Sequence, residues 1–249
     1  MASKYFTVEV KPTIAASKQA LGAYSQADLL FDWHPFDIPK GAAKLVGVTA
    51  IVRQTNGSGA NNLPFHLYYA KSIDGVAPSS LGTVHATADG TGYYNHIIGK
   101  NNFEIKDFAD DYLDNGIHVA TLAAGGADSD KPSIVLEGEP ASGTNVGFDK
   151  LYIGGLCGTS GVFDFASTVQ CDGVQATSQA VLTVKTTSAL VNFDKGDVLH
   201  DEDDRLMGTV KSMDSATQMT MTANLENATV DEKDLYCITP ITLVLSFER

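Results

Sequence analysis

The amino-acid sequence reads as an all-β protein: a jelly-roll-like β-sandwich with a small SH3-like or OB-like β-barrel inserted near its end. Three observations carry that reading. Apolar residues alternate with polar ones along most of the chain and hardly anywhere recur at helical spacing. Short apolar runs are separated by turn sequences such as Asp74-Gly75, Asp89-Gly90 and Asn115-Gly116. Composition shifts after about residue 170, and the closing segment returns to the character of the first part.

Tyr5 to Val10 sets Phe6, Val8 and Val10 on one face and Thr7 and Glu9 on the other, the mark of a half-buried strand. The segment Leu29 to Pro39 is apolar with two prolines, which suits an extended edge or a connection folded over the core. Leu45–Arg53 and Leu63–Ala70 flank a Gly- and Asn-rich loop and read as a long-looped hairpin. Further strands are expected at Thr83–Ala86, Tyr93–Ile98, Ile117–Ala123, Ser133–Glu137, Leu151–Gly155 and Val162–Phe165, with one short helix over Lys106–Leu113. Ile241 to Glu248 again alternates, with Ile241, Leu243, Leu245 and Phe247 on the core side.

Residues 172–237 differ from this pattern. From Cys171 to Arg249 there are 13 acidic and 6 basic residues, and aromatic residues thin out. Very short runs around Val198-Leu199, Leu206–Ser212, Met219–Thr222 and Asp234–Ile238 are joined by tight polar turns, as in a small barrel. The organisation expected is a sandwich of residues 1–171 plus 238–249, interrupted by a domain of residues 172–237. Inserted domains bring their ends together, so Cys171 and Cys237 form a candidate thiol pair at the neck. Two unrelated buried thiols are the commoner arrangement. A Cα separation beyond about 7 Å excludes a bridge.

The 249 residues include 17 Lys and Arg against 30 Asp and Glu, a net charge of −13, which disfavours nucleic acid and anionic membrane surfaces as partners. The opening MASKYFTVEV has Lys4 and Glu9 where a leader needs an unbroken apolar stretch, and no apolar run is long enough to span a bilayer. Three cysteines are too few for a disulfide scaffold.

No phosphate-binding, zinc-protease, serine-hydrolase or complete EF-hand motif is present, so the chain is expected to be non-enzymatic and free of cofactors. Cys157 lies in a glycine-rich turn, where a buried thiol is favoured over a nucleophile because no His accompanies it in sequence. Asp201, Glu202, Asp203 and Asp204 put four carboxylates in one turn, and Asp107, Asp110, Asp111 and Asp114 cluster similarly. Hard cations take several oxygen ligands. Consecutive carboxylates in a turn diverge, however, and a solvated charge run is the favoured reading. Trp33, Tyr68, Tyr69, Tyr93, Tyr94 and Tyr112 are the candidate aromatic platform for a sugar or an interface. Strand alternation places Tyr68 opposite in facing to Tyr69, and Tyr93 opposite to Tyr94, so one of each pair belongs to the core.

Two stretches carry a family resemblance. Ala23 to Phe31, followed by Leu45-Val46-Gly47-Val48-Thr49 and Pro64 to Ala70, is similar to the sandwich core of head-decoration and related virion proteins of tailed bacteriophages. Gly196-Asp197-Val198-Leu199, Gly208 to Ser212 and Asp234-Leu235-Tyr236 resemble the small barrels inserted into phage structural proteins. The resemblance implies a cement protein that clamps the major capsid protein or other virion proteins. It further implies a small cyclic homo-oligomer, trimeric by preference, located in the virion after synthesis in the host cytoplasm. A neck, tail or baseplate component is the alternative within the same particle, and a glycan-binding module is the alternative from another class. No catalytic or ligand residue is carried over.

Overall fold

The computed structural model describes residues 4–38, 42–53, 64–108, 117–123, 133–138, 150–159, 164–167, 169–185 and 192–249. The protein is nearly all-β and built from antiparallel sheets. In chain order the elements are β1 (Tyr5–Val10), α1 (Ala16–Gln19), β2 (Leu29–Asp37), β3 (Ala43–Arg53), β4 (Phe65–Lys71), β5 (Ile97–Phe103), β6 (Ile117–Ala123), β7 (Ile134–Leu136) and β8 (Lys150–Cys157). There follow β9 (Val181–Thr183), β10 (Val198–Asp201), β11 (Leu206–Ser215), β12 (Gln218–Met221), β13 (Leu235–Cys237) and β14 (Ile241–Glu248).

The first sheet has the order β1-β14-β3-β6, with β7 pairing the start of β3. One of its two inner strands, β14, follows all the other strands in sequence. Ile241, Leu243, Leu245 and Phe247 of β14 are buried while their neighbours are half-exposed, so the alternation seen in the sequence is the alternation of the pleat. Phe247 stacks on Phe6 of β1, with ring centroids 5.1 Å apart.

The second sheet has the order β2-β8-β4-β5. Phe65, Leu67 and Tyr69 of β4 and Leu151 and Ile153 of β8 point inward. One hydrophobic cluster draws residues from both sheets, among them Leu45, Val52, Phe65, Tyr69, Phe103, Ile153 and Phe247. Pro35 sits in β2, the edge strand, where its missing N–H costs no ladder bond. At Gly155 a Cβ atom would stand 2.3 Å from the Phe31 ring, so this position must be bare for β2 and β8 to pack.

The third sheet has the order β13-β10-β11-β12-β9 and its own hydrophobic cluster, including Leu182, Leu199, Met207, Met219 and Leu235. Here the expectation of a closed SH3-like or OB-like barrel is corrected: the sheet is open. Register shifts in β11 break its ladders. A neighbouring segment runs along both edges: Gln170 bridges Asp234 and Cys171 bridges Val184, the Leu235 N–H donates to the Val169 carbonyl and the Asp172 N–H to the Thr183 carbonyl.

Several local expectations also change. Thr83–Ala86 forms no strand, because Gly82 and His85 adopt positive φ. Its backbone instead caps β2, the His85 N–H donating to the Leu29 carbonyl and the Leu29 N–H to Ala86. Tyr93 to His96 turn, and the strand starts only at Ile97. Asp164 and Phe165 lie outside any strand, while residues 160–163 lie outside the described residues. A 3-10 turn over Ile105–Phe108 stands where the helix expected over Lys106–Leu113 would begin; the rest of that segment, within residues 109–116, lies outside the described residues.

Candidate functional site

Two places gather candidate side chains: the neck between the first and third sheets, and the outer face of the second sheet. At the neck the chain passes from β13 into β14 without a linker. The Ile14 N–H donates to the Ile238 carbonyl at 2.8 Å, and the Arg53 N–H to Pro240 at 2.9 Å. Gln19, buried on α1, donates through Nε2 to the carbonyls of Ile14 (2.8 Å) and Cys237 (2.9 Å). Arg53, the last residue of β3, donates from Nη1 to the Asn192 carbonyl (2.8 Å) and from Nη2 to Asp197 Oδ1 (2.6 Å).

The Asp197 side chain is 10% exposed. Burial pushes its carboxyl above the usual range, and the Arg53 guanidinium is the main influence pulling it back. Its Oδ2 accepts from the Asp194 N–H, so both oxygens are engaged. A cavity of about 30 Å³, enough for one water, lies between Gln19, Arg53, Phe193, Tyr236 and Cys237.

The cysteines do not form a bridge. Cys157, Cys171 and Cys237 are buried free thiols. Burial pushes the Cys171 thiol up, and Cys237 Sγ lies 3.5 Å from Thr239 Oγ1. Cys157 donates to the Thr159 carbonyl, and burial pushes its thiol up, the reverse of an activated nucleophile.

The acidic turn distributes its carboxylates instead of converging them. Asp201 is fully buried; Oδ1 accepts the N–H groups of Asp203 and Arg205, and Oδ2 faces the Arg205 guanidinium at 2.6 Å. Glu202 and Asp203 pair with Lys233, and Asp204 accepts the Ser17 N–H at 3.0 Å. Among the described residues, no group of three His, Cys, Asp or Glu side chains is disposed to hold a metal. Asp107 caps the Glu104 N–H, while Asp110, Asp111 and Asp114 lie outside the described residues.

The aromatic residues do assemble. Tyr69 is core and Tyr68 lies on the opposite, outer face of β4, as strand alternation requires. For Tyr93 and Tyr94 the alternation argument fails, because a turn holds them and neither is core. Trp33 and Tyr93 meet edge to face at 5.9 Å, and Tyr94 stacks on Tyr93 at 6.4 Å. Trp33 Nε1 donates to the Ser79 carbonyl (2.9 Å) and Tyr93 Oη to the Asp89 carbonyl (2.5 Å). Bare Gly154 of β8 leaves the Trp33 ring room to lie on the sheet. Lys100 of β5 sits 5.4 Å from the Tyr68 ring, a cation–π contact. Tyr112 lies outside the described residues.

Arg53, Gln19, Asp197 and Lys100 were not legible as site residues. Arg53 and Lys100 end or interrupt alternating strands as solvent-side charges do, and a buried Gln on a one-turn helix carries no sequence signal. Comparison with protein-family models, curated proteins and solved structures finds no match for this chain.

Proposed function

We propose that the protein is a non-enzymatic structural protein of a tailed-phage virion, a capsid decoration or cement protein that works through protein–protein contacts. In this reading the first two sheets are the layers of a jelly-roll-like sandwich, and residues 172–237 form an inserted unit that projects from it. The observation that carries the reading is the neck. Backbone bonds at Ile14 and Arg53 and the side chains of Gln19 and Arg53 tie the third sheet to the first without a flexible tether. A unit that must present a fixed shape to neighbouring subunits needs such fixation, because a flexible linker would leave its orientation undefined. The partners are the major capsid protein or other virion proteins, with a homo-oligomer, trimeric by preference, as the working form.

The test is the copy number per particle by quantitative mass spectrometry, together with binding of the purified protein to heads that lack it. Many copies per head, and heads that melt at higher temperature once bound, are expected. A few copies per particle would favour the neck, tail or baseplate reading. Absence from the particle, with no binding to heads, would overturn both.

A further inference from the structure

We propose that the outer face of the second sheet is a binding site for an acidic saccharide, with Tyr94 as its stacking surface and Lys100 as its counter-charge. This inference is independent of the virion reading. Tyr94 keeps 78% of its surface exposed although it is a large aromatic residue. One side of its ring rests on Tyr93, which in turn meets Trp33. Trp33 and Tyr93 are tied at their polar tips to backbone carbonyls of the 79–89 loop. The Asp32 carboxylate secures the same loop by accepting the Leu81 N–H at 2.8 Å. The ring is therefore held in place before any ligand arrives, which lowers the ordering cost of binding.

The chemistry around that ring selects the ligand. A single open aromatic face matches the C–H side of a pyranose. A protein interface core would need a wider apolar area, with several large residues buried together. Tyr68 is paired across the sheet with Gly154, on which the Trp33 ring lies, and on its other side with Lys100, so Tyr68 and Lys100 continue the row that carries Trp33. The Lys100 ammonium is exposed and makes no ion pair among the described residues, unlike Lys4, Lys11, Lys185 and Lys233. A cation with no ion pair among the described residues, 5.4 Å from the Tyr68 ring, suits the carboxylate of a uronic or sialic acid. The Asp89 carboxylate acts on the Tyr93 phenol and repels an anion arriving from that side, while its Oδ1 accepts the N–H and the hydroxyl of Thr91. More distant carboxylates of this −13 chain are screened beyond about 8 Å at physiological salt. A nucleic acid, which also stacks, is disfavoured because its many phosphates meet that charge together.

The test is calorimetric titration of the full chain with a glucuronic acid tetramer, an N-acetylneuraminic acid trimer and a neutral glucose tetramer. At least one acidic oligosaccharide is expected to bind, about tenfold or more tighter than the neutral one. Tyr94→Ala should reduce that affinity by about tenfold or more. Lys100→Gln should abolish the preference for the acid and the dependence on NaCl. Both variants change exposed side chains, and an unchanged melting temperature checks their fold. Absence of binding to either acidic probe, equal affinity for acid and neutral sugars, or binding indifferent to Tyr94→Ala would overturn the proposal. None of these outcomes bears on association with a virion.

Discussion

The guanidinium of Arg53 stands 2.6 Å from the carboxylate of Asp197, which lies 144 residues further along the chain. Both groups are largely withdrawn from solvent, with side chains 23% and 10% exposed. Arg53→Ala leaves a buried carboxylate without its countercharge and removes the hydrogen bond that Arg53 donates to the Asn192 carbonyl. A loss of about 2 kcal/mol in urea unfolding is expected. The variant should also separate the unfolding of the third sheet from that of the first two, read as two transitions where the parent shows one.

Packing across β2 and β8 gives a second prediction. A Cβ at Gly155 meets the buried Phe31 ring at 2.3 and 2.6 Å, whereas one at Gly90 meets nothing within 4 Å. Gly155→Ala should therefore cost about 2–3 kcal/mol through overpacking. Gly90→Ala should change stability by no more than about 0.5 kcal/mol. The two urea midpoints measured side by side check the contrast.

The Tyr69 hydroxyl is buried and has no hydrogen-bond partner among the described residues. Burial accordingly raises its phenol pKa. Tyr69→Phe removes a desolvated polar atom and keeps the ring, so the variant should be more stable by about 1 kcal/mol. A loss of stability on this change would show that the hydroxyl is satisfied in solution.

Alkaline pH acts through the same physics. Burial pushes the Cys171 thiol up to about 11 and the Tyr236 phenol up to about 12. The corresponding groups of an unfolded chain lose their protons near about 8.5 and about 10. The folded protein thus keeps protons that the unfolded chain has released, and stability falls as pH rises through that interval. The urea midpoint should hold between about pH 7 and 8 and decline from about pH 9 to about 12. In the same experiment at pH 8, a thiol reagent should label the three cysteines slowly in the folded state and rapidly in denaturant.

Where one face of a strand is buried, its position was legible in the sequence. Ile117–Ala123 is the expected strand to the residue, and β14 buries the four side chains that its alternation singled out. The failures share a cause. Thr83–Ala86 and Tyr93–His96 have β-like composition, but positive φ at His85 and a turn at Tyr93 are set by contacts with β2 and with the loop above it. Local pattern does not encode such contacts. The aromatic patch was half visible: its residues were identifiable, whereas the pairing of Tyr68 with Lys100 depends on the register of β4 against β5. The neck was visible only as a change of composition, because Gln19 and Arg53 act across long sequence separations.

The place of β14 between β1 and β3 also orders events during biosynthesis. A ribosome emits every strand of the third sheet before it emits the one that β1 and β3 both require. The later-made lobe can therefore settle first, while the earlier-made strands wait for their common neighbour. Emergence of β14 is then the step that joins β1 to β3.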